Sequence, residues 1–307
     1  MAKHTQRILV TGSSGMIGTR LCEVLQARGY RVVGFDRRPN KWSKEIQKVT
    51  VMGDLLDKKS LERVPGSFDC VVHLAANARV YKTVENPELA RENMQTTYHV
   101  LEFARQRRVK NILFASSREV YGNGSPTPCG EDDVRLVKCE SPYAASKIAG
   151  EAMVRSWQEC YGIDFVILRF SNVYGMYDDS DRVVPRFLKA AFRDQDLVVF
   201  GKEKVLDFTY IDDCVEGIMQ AIKNFKKAKN DVYNVAYGKG TSLVRVAEYI
   251  RKITGSKSKI RMEKSRPGEV ARFVADISKA KRTLGYAPKV AIQEGLAKAM
   301  QWYQAIF

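Results

Sequence analysis

RILVTGSSGMIG, residues 7–18, decides the fold. An apolar, β-branched run leads into three glycines, Gly12, Gly15 and Gly18, and an apolar stripe at Ile17, Leu21, Val24 and Leu25 follows at helical spacing. The reading is a strand, a glycine turn and a helix whose first turn holds Met16 and Ile17. Glycine allows the tight bend and leaves room for backbone N–H groups and the helix N-terminus to approach a pyrophosphate. A bare glycine triplet says little, but here the strand before it and the helix after it supply the context a dinucleotide turn requires.

Working outward, Asp36 lies 18 residues beyond Gly18 and ends the next strand pattern, YRVVGFD. A carboxylate there accepts hydrogen bonds from the adenosine ribose and repels a 2′-phosphate, which predicts NAD rather than NADP. Arg37 and Arg38 beside it argue the other way. Asp54, after the strand pattern KVTVMGD, reads either as a partner of the adenine amine or as a plain loop cap.

Strand and helix patterns keep alternating: DCVVHLAA, a helix through Asn93 to Arg107, NILFASS, the Tyr143 helix and DFVILRF. That rhythm predicts a Rossmann-type, doubly wound parallel α/β sheet covered on both faces. After about Phe170 the stretches become longer and irregular. Strands are expected at LVVF, DFTYI and DVYNVA, with helices at Val184 to Phe192, Asp213 to Lys223, Leu243 to Ile253 and Ile292 to Tyr303. The expected division is residues 1–170 for the dinucleotide and 171–307 for a smaller substrate-binding domain, with segments free to cross back.

SPYAASK, residues 141–147, places Tyr143 and Lys147 four apart on one helical face. A phenol with pKa near ~10 is a poor base at neutral pH, and an adjacent ammonium and a cationic nicotinamide both favour its ionised form. The pair reads as a general base for a hydroxyl, with Lys147 also holding the ribose. Tyr-x-x-x-Lys alone is commonly a solvated pair; the glycine turn and the strand-end serines decide for chemistry. Ser117 ends NILFASS, where open α/β sheets bind ligands, and is suited to bond the reacting hydroxyl; Ser116 reads as structural capping.

With TGSSGMIG, Asp36, Asp54, HLAA at 73–76, Asn93, SSREVYG, SPYAASK, RFSNVYG at 169–175, DFTYIDD at 207–213 and RPGE at 266–269 in order, the chain resembles the NAD-dependent epimerase/dehydratase family, and within it the UDP-glucose 4-epimerases. The resemblance implies a catalytic triad of Ser117, Tyr143 and Lys147. It implies NAD contacts that add Leu55, Leu74, Ala75, Ala76 and Asn93 to the glycine turn and the two aspartates. It further implies nucleotide-sugar contacts at Asn172, at Val183 and, on the diphosphate, at Arg266, and a homodimer packed through the helices carrying Asn93 and Tyr143. Two departures stand out. Relatives carry an arginine before the Asp-Phe of DFTYIDD, where this chain has Leu206, so a charge-assisted contact to the diphosphate is missing. Glu119, two residues after Ser117, matches sugar-nucleotide dehydratases and decarboxylases, although Arg118 stands where dehydratases show an aspartate; a proton carrier at C5 and a salt bridge to a neighbouring base are equal readings. Phe273 reads as a core aromatic rather than a pocket wall.

Composition narrows the rest. Lys and Arg number 51 against 35 Asp and Glu, a net charge of +16, which draws in polyanions. No aromatic-interleaved basic motif accompanies the charge, so a solvated surface that steers a diphosphate is preferred to nucleic-acid binding. Six cysteines without a C-x-x-C pair and only three histidines predict no metal site and reduced thiols, Cys129 and Cys139 included. The opening residues show no signal-peptide pattern and no later run reaches membrane-spanning length, which predicts a cytoplasmic protein without membrane insertion. The leading expectation is a nucleotide-sugar 4-epimerase working through a transient 4-keto sugar. A 4,6-dehydratase or uronate decarboxylase using Glu119 is the alternative, and a non-catalytic dinucleotide sensor ranks below both.

Overall fold

The computed structural model describes residues 5–306. Six strands in the first half, β1 (Arg7–Thr11), β2 (Arg31–Asp36), β3 (Thr50–Met52), β4 (Cys70–His73), β5 (Asn111–Ser117) and β6 (Asp164–Phe170), alternate with helices. The second half adds β7 (Asn172–Tyr174), β8 (Leu197–Phe200), β9 (Val205–Tyr210), β10 (Asp231–Val235), β11 (Gly240–Ser242), β12 (Ile260–Glu263) and β13 (Arg272–Phe273). The main sheet has seven parallel strands in the order β10-β6-β5-β4-β1-β2-β3. This is the doubly wound arrangement read from the sequence.

Alternation along β1 shows why the sheet is covered on both faces. Ile8 and Val10 enter the cluster beneath the helix Met16–Ala27, while Leu9 enters the opposite cluster with Val100, Leu101 and Val154. Adjacent side chains on a strand point to opposite faces, so a strand buried on both sides is apolar at every position. The chain reverses winding direction between β1 and β4, and a crevice opens beyond their carboxyl ends. Gly12 follows the first of these strands and Leu74 to Ala76 follow the second.

DVYNVA was expected in the second half and forms β10, yet it pairs with β6 and widens the first sheet. Polar side chains fix that return. Asn234 accepts from the Tyr121 hydroxyl at 2.6 Å and donates to the carbonyls of Cys129 and Asp276 at 3.1 and 3.0 Å. The helices Val183–Ala191, Ile211–Lys223, Leu243–Thr254 and Ile292–Gln304 fall within two residues of expectation. The short strands β7, β11, β12 and β13 were not anticipated. Phe273 is buried in the core and stacks on Tyr121 with ring centroids 5.5 Å apart. All six cysteines are free thiols. Among the described residues no helix is long and apolar enough to cross a membrane, and no group of three His, Cys, Asp or Glu side chains is placed to hold a metal.

At the end of β4, His73 sits fully enclosed between Thr11, 2.7 Å from Nδ1, and Thr97, 3.3 Å from Nε2. Burial, helped by the nearby Lys147 charge, lowers its pKa to about 3. The unfolded chain therefore binds a proton below pH ~6.5 that the folded chain refuses. The associated stability is complete above that pH and is lost as pH falls toward 3, by up to ~1.4 kcal/mol per pH unit. Urea midpoints measured from pH 7 to pH 3 should fall less steeply in His73→Gln than in the wild type; equal slopes would contradict this assignment.

Candidate active site

The first bend of the chain works by exclusion of side chains. Gly12 has φ +76°, and a Cβ there would lie 2.8 Å from the Ala75 nitrogen; one on Gly18 would lie 2.0 Å from the Gly12 carbonyl oxygen. Any larger residue pushes the helix off β1 or blocks the bend. Gly15 is the N-cap of the helix and Met16 its first residue, so unsatisfied N–H groups face the crevice. Beside them, the Asp36 carboxylate accepts from the Ser14 and Arg38 backbone N–H groups at 3.0 and 2.9 Å. Arg37 donates to the Asn77 side-chain oxygen at 3.2 Å along the cleft wall. A fixed carboxylate at the end of β2 and a cradle that a Cβ would fill both suit NAD.

Every residue singled out from the sequence for cofactor, chemistry or substrate lines one cleft of about 1300 Å³. Their bonding differs from position to position. Asp54 caps its own loop through the Leu56 N–H at 2.9 Å. Asn93 is occupied as a brace, accepting from the Asn77 N–H at 2.7 Å and donating to Ser146 at 3.2 Å, so it holds the wall after β4 against the Tyr143 helix. Asn172 donates to the Asp207 carbonyl at 3.0 Å. Ser116 does not cap a helix; its hydroxyl bonds the Glu151 carboxylate.

The helix Pro142–Tyr161 begins at Ser141, whose hydroxyl accepts the Ala144 N–H at 3.2 Å, and Pro142 follows at its first position. That start aims Tyr143 at the end of β5, where its phenol lies beside Ser117 and lines the cleft with it. Lys147 lies one turn on, with Nζ 5.8 Å from the Tyr143 ring centroid and donating to the Ala115 carbonyl at 2.8 Å. Burial raises the Tyr143 pKa to about 12, against the pull of Ser117 and Arg182, and lowers Lys147 to about 8. In the protein alone the phenol is therefore a proton donor at neutral pH.

Glu119 is paired with its neighbour: Arg118 stands 2.7 Å from one carboxylate oxygen. The other oxygen, and one Arg118 nitrogen, are buried without a hydrogen-bond partner. Burial pushes the Glu119 pKa up despite the guanidinium.

The sequence reading missed three arginines that line the cleft, Arg79, Arg182 and Arg186. The last two are four residues apart at the start of a helix, a spacing that already placed them on one side. It also missed Trp42, whose ring meets Trp302 at 5.3 Å and Tyr177 at 6.0 Å and walls the cleft between the two halves of the chain.

Residues 8–236 match the NAD dependent epimerase/dehydratase family. The chain belongs to this family. The family's NAD dependence agrees with the glycine cradle and Asp36. A UDP-N-acetyl-alpha-D-glucosaminuronate decarboxylase of Bacillus cytotoxicus is 33% identical, aligned over 98% of each chain. Among solved structures, the UDP-glucose 4-epimerase of Thermotoga maritima with UDP-glucose superposes with a TM-score of 0.89 at 29% identity, covering 97% of this chain and 99% of that one. The UDP-glucuronic acid 4-epimerase of Bacillus cereus, with UDP-glucuronic acid and NAD, has a TM-score of 0.89 at 30% identity, over 98% and 100%. This member of the epimerase/dehydratase family thus matches, over nearly its whole length, proteins named as UDP-sugar 4-epimerases and a UDP-sugar decarboxylase.

Proposed function

We propose that the protein is an NAD-dependent UDP-sugar 4-epimerase of the UDP-glucose/UDP-galactose type. The observation that carries the reading is the placing of Ser117 and Tyr143 together, one helical turn from Lys147, inside the cleft that the glycine bend opens. NAD, when bound, supplies a reversible two-electron acceptor and a positive charge. The chain's own part is to hold and move the proton. Tyr143 takes it from the sugar C4 hydroxyl and returns it, Ser117 bonds the same oxygen, and the Lys147 ammonium favours the phenolate and holds the ribose. In this reading residues 1–170 hold NAD, while Asn172, Val183 and Arg266 from 171–307 hold the nucleotide sugar.

The protein is read as a cytoplasmic homodimer. Its free thiols suit a reducing compartment. Tyr98 and Tyr161, 44% and 49% exposed, flank Trp157 on the outer face of the helices Glu88–Gln106 and Pro142–Tyr161, an aromatic patch suited to a second copy. Incubation with UDP-glucose or UDP-galactose should interconvert the two without added cofactor; failure with every UDP-sugar tried would remove the reading. A second reading, decarboxylation or dehydration through the same 4-keto sugar, is favoured by Glu119, which lines the cleft with one carboxylate oxygen buried and free of any hydrogen-bond partner. Its products differ in mass, and unchanged activity in Glu119→Gln would count against it.

A further inference from the structure

Leu206 stands where the family resemblance implies a diphosphate-binding arginine, and it is buried at the cleft wall with no charge to offer. The charges around it have their own partners. Arg79 pairs with Asp181, Arg182 stands 3.9 Å from Asp178, Lys204 pairs with Glu269 and Lys41 takes Asp179. Among the described residues this leaves two arginines of that lobe without a carboxylate, Arg186 and Arg266, equal in number to the charges of a sugar-nucleotide diphosphate.

The two also share a platform. The Arg266 guanidinium carbon lies 4.1 Å from the Phe200 ring centroid and that of Arg186 lies 5.0 Å from it. One Arg186 nitrogen donates to the Val198 carbonyl at 3.0 Å, which fixes the side chain, while its Nε is buried with no partner. An orphaned buried donor of this kind calls for an acceptor. Ahead of Arg186, the helix Val183–Ala191 makes its first bond from the Arg186 N–H to the Arg182 carbonyl, so the N–H groups of Val183 and Val184 remain open at the cleft.

We propose that Arg186 is the second diphosphate-binding cation of this enzyme, replacing from the helix Val183–Ala191 the arginine that β9 lacks at Leu206. Arg266 and Arg186, both set against the Phe200 ring, grip the two phosphates between them. The inference rests on the nucleotide-sugar reading, and the test separates the two.

Calorimetric binding of UDP, UMP and UDP-glucose to the NAD-loaded enzyme, in wild type and in Arg186→Ala, decides it. The expected result is a roughly 10- to 100-fold loss of UDP affinity with a much smaller loss for UMP, because one charge-assisted contact to the terminal phosphate disappears. Adding Leu206→Arg to the Arg186→Ala enzyme should recover part of the preference for UDP. Arg186→Gln, which keeps a donor for the Val198 carbonyl, provides the same ratio if the alanine variant folds poorly. An unchanged UDP-to-UMP ratio in a folded variant overturns the role of Arg186 and leaves the epimerase reading standing. No binding of any uridine diphosphate by the wild type overturns that reading, and the role with it.

Discussion

Tyr143→Phe should lower turnover by about 10²- to 10⁴-fold, the usual contribution of a positioned acid–base group, while changing UDP-sugar affinity far less. The phenol is buried beside Ser117, and the substitution removes only its hydroxyl oxygen. The ring keeps its packing, so the fold and the cofactor cradle should survive. Steady-state rates together with calorimetric affinities check this. Turnover within tenfold of the wild type would move the proton transfer to another group, with Glu119 next in reach of the cleft.

The second large effect concerns stability. Glu151, a turn beyond Lys147 on the same helix, makes a two-pronged pair with Arg169, at 2.9 and 2.7 Å, with both side chains buried. Arg169 also donates to the Tyr121 hydroxyl at 3.2 Å and to the Glu131 carbonyl at 2.6 Å, and Ser116 donates to Glu151. Glu151→Ala leaves a guanidinium enclosed without its counter-ion, which should cost about 3–5 kcal/mol in denaturant unfolding. A Glu151→Leu, Arg169→Met double variant should recover much of that, since two apolar side chains of similar volume carry no desolvation penalty. The single variant should also lose activity, because the Glu151 charge helps keep Lys147 protonated. A loss below ~1 kcal/mol, the scale of an exposed pair, would mean water reaches the site.

These residues show what the amino-acid order made legible. The glycine bend, Asp36, Ser117 and the Tyr143–Lys147 pair sit at fixed offsets from strand ends and helix starts, so local pattern was enough to place them in one cleft. Glu151 is different. Four residues from Lys147, it reads as an ordinary solvated helical partner, and only the neighbouring strand β6 reveals Arg169 as its true counterpart. Arg79, Arg182 and Arg186 were opaque for a related reason: whether an arginine faces water or a cleft depends on which distant segment covers it. DVYNVA was legible as a strand and not as a member of the first sheet, because its neighbour is chosen by buried bonds such as those of Asn234 to Tyr121, Cys129 and Asp276.

The return of β10 to the first sheet has a further consequence. A ribosome that has made only the stretch through Phe170 has delivered six strands and an unprotected flank on β6, a bare row of amides and carbonyls open to any passing chain. About sixty more residues must emerge before Asp231–Val235 can seal it. The later part of the chain is thus also the nascent sheet's guard, and residues 1–170 alone should not behave as a free-standing cassette.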